Sequence, residues 1–265
     1  MRAAGAATPE PRAWSPSPAW PEGRGLFLLR PLLGVRRAAI RAWLAARDER
    51  WIEDPANADP RYARSRARRD LAGADVDAPA PPPRGEQLAQ ACRMDAAGVL
   101  SLRRDLLGGP GAHAFVAAAC LSAAGTRRPP ASERVARLLA RLQGDEPVTA
   151  TLAGARIEAD AREVRVLREP GEARRGGLQP LSFAAGETAV WDGRFEITAT
   201  QPMTVRALGG LASRLTKAEH AALQDFPPKA RAALPVTAEG QPIAATPLAL
   251  DRLRAACGVV DREPA

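Results

Sequence analysis

Hydrophobic periodicity turns from helical to alternating at Pro147, and that change limits the folds open to this chain. Before it, residues 131–143 repeat Val135, Leu138, Leu139 and Leu142 at helical spacing, with Ser132 placed to cap the helix. After it, VTATLAG, ARIEAD and REVRVLRE alternate apolar and polar residues, the period of half-buried strands. The run ETAVWDGRFEITA carries the clearest hairpin signal, Asp192-Gly193 between two alternating segments. MTVRAL adds a strand, and helices are expected from Thr216 to Gln224 and from Pro228 to Leu234. PVTAEGQPIAATPLAL reads as strand, turn, strand. A helical stretch followed by one that mixes strands with short helices indicates an α+β fold.

The rest of the chain supplies boundaries. Residues 85–94 and 111–124 have helical patterns, and Gly108-Gly109-Pro110-Gly111 separates them. No strand clearly precedes that glycine cluster and no Lys, Ser or Thr follows it, so it reads as a turn and not as a phosphate cradle. The segment 78–84, APAPPPR, reads as a polyproline-like linker between domains. A proline-rich surface loop within one domain is the alternative. On the linker reading, 85–145 is a helical middle domain and 146–265 a small C-terminal α+β domain. Residues 1–25, rich in Pro, Ala and Ser, read as loop or disorder. From Val35 to Arg47 an apolar stripe of Val35, Ala39, Ile40, Trp43, Leu44 and Ala46 marks a core helix. Its outer face carries Arg36, Arg37, Arg41 and Arg47.

Charge narrows the choice of partner. The net charge is +8, and only two of the 38 basic residues are lysines, Lys217 and Lys229. Residues 1–70 hold 14 arginines and eight acids, so most of the excess lies in the first quarter. Such a balance favours an anionic partner, nucleic acid above all. Cys92, Cys120 and Cys257 are odd in number and widely spaced, which suits a reducing cytosol and excludes a disulfide framework or a zinc motif. His113 and His220 stand apart, so no metal site is expected. The sequence has no run of apolar residues long enough for a membrane span, and a cytoplasmic location is expected.

The densest functional signal is Trp51–Arg69, WIEDPANADPRYARSRARR. Glu53, Asp54, Asn57 and Asp59 sit in a turn-rich bend; Arg61, Arg64, Arg66, Arg68 and Arg69 follow with Tyr62. Asp59-Pro60 has the form of a helix start. At about 100° per residue, Arg61, Arg64 and Arg68 would share one face. Guanidinium groups held on one surface suit phosphate. A solvated helix face is the other reading of such a run.

Asp-Pro-x-Asn-x-Asp followed by Tyr-x-Arg-x-Arg-x-Arg resembles the signature of bacterial tRNA(Ile)-lysidine synthetases. The preceding RPLLGVRRAAIRAWLAARDERWIEDP resembles the segment leading into it. The match runs from about Leu28 to Leu71 and departs at Ala56, where Ser or Thr is usual in that family. The resemblance implies a member of the PP-loop ATP pyrophosphatases. Such an enzyme uses ATP to adenylate the wobble cytidine of the CAU anticodon of tRNA(Ile), and the amine of free L-lysine then displaces AMP. It implies ATP and Mg2+ as cofactors of the full-length enzyme, with no metal ligands of this chain's own. It places Asp54, Asn57, Asp59, Arg61, Arg64, Arg66 and Arg68 beside the tRNA or the triphosphate. It makes 1–77 the remnant helical end of an α/β nucleotide-binding domain and gives the C-terminal module a grip on the tRNA body. Arg165, Arg168, Arg174, Arg175, Arg206 and Arg214 suit that grip. The family's Ser-Gly-Gly-x-Asp-Ser phosphate loop and its Asp-Asp-Gln-Ala-Glu-Thr-like motif do not occur in these 265 residues. The expectation is a chain lacking its nucleotide-binding half, with Met1 internal to a longer reading frame, and unable to catalyse alone. A non-catalytic tRNA-binding module, half of a split enzyme, a homodimer and a fragment that folds poorly through residues 1–80 stay open beside it.

Overall fold

The computed structural model describes residues 35–55, 59–62, 65–66, 85–126 and 128–259, with Leu32 and two short strands, β1 (Trp14–Pro16) and β2 (Phe27–Leu29). The expected linker at 78–84 lies outside the described residues. The chain divides into two compact units, one built mainly from 29–82 and the other from 83–265.

The larger unit is α+β, as its change of period requires. Five strands form one antiparallel sheet: β3 (Arg93–Met94), β4 (Leu100–Arg103), β5 (Val148–Leu152), β6 (Ala155–Ala159) and β7 (Glu163–Arg168). Their order is β3-β4-β7-β6-β5. The alternation read in β5–β7 buries Val148, Leu152, Ile157, Val164 and Val166 on the core side. Packed with them are α2 (Glu86–Ala91), α3 (Ala112–Ala124), α4 (Ser132–Leu142) and, from the far end of the chain, α7 (Ala249–Cys257). Helix α3 is apolar on nearly every side and is buried along nearly its whole length, the rule for a helix enclosed by its neighbours. The division expected at residue 145 runs through this sheet, because β3 and β4 pair into it from the earlier stretch.

Two three-stranded sheets complete the unit. The Asp192-Gly193 hairpin forms as read, joining β9 (Thr188–Trp191) to β10 (Phe195–Thr198). The last strand, β13 (Thr246–Pro247), pairs with β10. The other sheet holds β8 (Leu181–Phe183), β11 (Met203–Ala207) and β12 (Pro235–Thr237) in the order β12-β11-β8. Trp191, Phe195, Ile197, Phe183 and Val205 fill the space between them. Two short helices intervene, α5 (Lys217–Ala222), closed by a Thr216/Glu219 capping box, and α6 (Pro228–Arg231).

Three buried arginines hold this architecture. Arg104 donates to the carbonyls of Arg141 and Leu142 at the end of α4, and to those of Asp145, Glu146 and Asp160, at 2.6–3.3 Å. A cation there both satisfies orphan carbonyls and faces the negative end of the helix dipole. Arg168 grips Asp192 through two 3.0 Å bonds, and Arg194 binds the same carboxylate at 2.7 Å and the Ala233 carbonyl at 2.7 Å. Burial pulls the Arg194 guanidinium below its ordinary value, and the Asp192 charge opposes that shift.

Some local expectations change. Ser132 does not cap α4: Ala131 takes the N-cap position, and the Ser132 hydroxyl lies 3.2 Å from His113 Nε2. The helix expected over 85–94 stops at Ala91, and Arg93-Met94 is strand. In PVTAEGQPIAATPLAL the second strand is short, β13, and a helix begins at Ala249.

Candidate nucleic-acid interface

The smaller unit carries the bend and the start of the arginine run. Its helix α1 (Arg37–Ala45) forms where the 3.6-residue stripe placed it, yet none of its residues is buried. Ile40 and Leu44 are half-buried and Trp43 is exposed, so the expected core face lacks a covering layer among the described residues. The chain leaves α1 through Asp48 in the left-handed region, φ 56°, which aspartate tolerates better than most residues.

Glu53 ties the following loop to the helix. Its carboxylate accepts from Arg37 Nη2 at 2.9 Å, from Arg41 Nη2, and from the Trp51 indole N–H at 2.8 Å. Arg37 and Arg41 are one helical turn apart, so both reach a single acceptor. The Arg41 guanidinium lies 5.7 Å from the centre of the Trp51 ring, and Arg47 stacks at 3.8 Å on Trp43. The Trp51 hydrogen bond first, then the Arg41 and Arg37 charges, hold Glu53 below the usual glutamate range. The sequence places Glu53 in the bend and assigns it no role. The signal was there in the alignment of Arg37 and Arg41 on one face, but the loop's return to that face is tertiary.

Asp59 starts the arginine segment. Its Oδ1 accepts the Arg61 backbone N–H at 2.9 Å and its Oδ2 accepts Arg61 Nε at 2.8 Å. Arg61 pulls the Asp59 carboxyl below its ordinary value, through the side-chain bond first and the backbone bond second. This is turn chemistry within the free chain. Residues 60–62 form a turn, and helix is present at Ser65 and Arg66. Arg66 Nη1 donates to the Pro60 and Arg61 carbonyls at 2.8 and 3.0 Å. The Arg61 side chain remains 84% exposed, which leaves it open to an anion. Asp54 is exposed in the loop after Glu53. Asn57, Arg64 and Arg68 lie outside the described residues, so the shared face expected for Arg61, Arg64 and Arg68 does too.

The C-terminal arginines divide. Arg165, Arg174, Arg175, Arg206 and Arg214 are exposed. Arg168 is not: 4% exposed and bound to Asp192, it belongs to the core of its unit and cannot grip RNA. Among the described residues no group of three or more His, Cys, Asp or Glu is placed to hold a metal ion. Glu53 and Asp59, each turned to arginine, do not fit a magnesium site.

Comparison with known proteins bears on the same stretch. The model of the PP-loop domain matches residues 17–74, which contain α1, the Glu53 loop and the arginine run. The tRNA(Ile)-lysidine synthase of Caulobacter vibrioides is 44% identical over 99% of this chain. The chain belongs to the tRNA(Ile)-lysidine synthase family. It spans 67% of the length of the Caulobacter protein. The tRNA(Ile)-lysidine synthase of Rhizobium meliloti is 31% identical over 70% of the chain and 43% of its own length. That of Hyphomonas neptunium is 52% identical over a shorter stretch, 23% of the chain. No solved structure matches. The described helices include none long and apolar enough to cross a membrane.

Proposed function

We propose that this chain works in the modification of tRNA(Ile), as part of an ATP-dependent ligase that joins lysine to the wobble cytidine of the CAU anticodon. What supports the reading most is the position of the PP-loop match: it coincides with the segment in which an acidic bend runs into arginines. Asp54, Asn57 and Asp59 shape the backbone beside the reacting base, and Arg61, Arg64, Arg66 and Arg68 hold tRNA phosphate or the triphosphate. Adenylation transfers the adenylyl group of ATP to the cytidine base and releases pyrophosphate; the lysine amine then bonds to the base carbon, and AMP leaves. Positioning and charge stabilisation of the phosphates carry such a transfer.

The phosphate-loop motif does not occur in the sequence, which favours a second reading of the chain by itself: a tRNA-binding module without ligase activity. ATP–pyrophosphate exchange with the purified chain, tRNA and lysine separates the two. The expected result is tRNA binding that weakens steeply with salt, with no exchange. Clear turnover would show that the chain adenylates by itself and would overturn the second reading. Absence of any tRNA binding would overturn both.

A further inference from the structure

An open strand edge lies beside a row of arginines in the larger unit. Among the described residues, strand β5 is the outermost of its sheet and pairs only with β6. Ala153 and Gly154 join them with φ of 51° and 82°, the signature of a two-residue hairpin turn. In such a hairpin the flanking pair, Leu152 and Ala155, exchanges hydrogen bonds, and every second pair after it does so again. Thr149 and Thr151 fall between those pairs, so their N–H and C=O groups point outward from the sheet. Helix α4 stands beside this edge. A cleft of about 510 Å³ separates the two, bounded by Arg134, Arg137 and Arg141 on the helix and by Ala150–Gly154 on the strand; Glu169 and Glu172 also line it, each paired with an arginine, Arg156 and Arg175. Arg137 pairs with Glu133 at 2.9 Å on the exposed helix surface. Among the described residues no carboxylate pairs with Arg134 or Arg141.

We propose that this cleft takes an extended acidic peptide segment of a partner protein, added to β5 as a sixth strand. Its carboxylates would face the arginines of α4. The edge offers donors and acceptors in alternation, which a peptide backbone matches in both senses. The phosphates of a nucleic-acid backbone bring acceptors alone and do not match the carbonyls of Thr149 and Thr151. Spacing agrees: Arg137 and Arg141 lie about 6 Å apart along the helix, close to the roughly 7 Å between alternate residues of a strand. The proposal stands apart from the tRNA reading, since it concerns other residues and another class of partner.

The test is fluorescence anisotropy of labelled heptapeptides with the whole chain. Glu-Val-Glu-Val-Glu-Val-Glu is expected to bind, and its Lys-for-Glu counterpart to show no binding up to about 1 mM. A version with proline in place of the valines, which cannot complete the ladder, is expected to bind at least about tenfold more weakly. The doubly substituted chain, Arg134→Glu with Arg141→Glu, is expected to lose at least about tenfold in affinity while its circular dichroism is unchanged. In the bound chain the Thr149 and Thr151 amides are expected to gain protection from hydrogen exchange. Failure of the acidic peptide to bind would overturn the proposal. Equal binding of the proline version would overturn strand addition, and displacement of the peptide by an RNA oligomer that occupies the cleft would assign it to nucleic acid instead.

Discussion

Single side chains in this protein do work that their charge alone does not reveal. Glu53 draws two arginines and an indole onto one carboxylate. Its pKa is depressed in the folded chain, so its contribution is complete above its ordinary value of 4.5 and fades as pH falls through the folded value. The Trp51 indole N–H resonance should therefore shift with a midpoint below 4.5, and Glu53→Gln should abolish that titration. A midpoint at or above 4.5 would contradict the clamp. Arg104 is the opposite case, an arginine with carbonyls as partners in place of acids. Arg104→Met strands several of them, and urea denaturation should show a loss of about 3 kcal/mol. Cys92, Cys120 and Cys257 are buried, and burial pushes each thiol up to about 12. A thiol reagent at pH 8 should leave the native chain unmodified and label all three after unfolding.

At the scale of elements, local signals were readable where turn chemistry and period agreed. The β5–β6 and β9–β10 hairpins formed where alternation and Ala-Gly or Asp-Gly turns coincided. Helix α4 formed at its expected place because Val135, Leu138 and Leu142 mark one face. Helix α7 escaped reading because Ala249, Leu253 and Cys257 make a thin stripe after a proline-rich segment, and α3 buries them only in the folded chain. The pairing of β13 with β10, and of β4 with β7, lies between distant segments, so no local pattern encodes it. Two turns also meet closely. A methyl group on Gly125 would overlap the Asp192 carbonyl oxygen, whereas Gly186, also in the left-handed region, has open space around it. Gly125→Ala should cost about 2 kcal/mol or more and Gly186→Ala about 1 kcal/mol. Equal costs in thermal denaturation would show that the turns are not pressed together.

For the whole molecule, family membership and the PP-loop match meet in one segment, residues 17–74. The order of residues from Trp51 to Arg69 revealed the kinship, since sequence order is what a signature preserves. It did not reveal that Arg168 is a core residue or that Glu53 is a clamp, because both depend on contacts made across the fold. The central claim is that the arginines of this segment meet tRNA phosphate. Filter binding of tRNA(Ile) across a salt series, for the chain and for Arg64→Ala with Arg68→Ala, tests it most directly. The account predicts weaker binding by the variant and a salt slope reduced by about two; identical affinity and identical slope would contradict it.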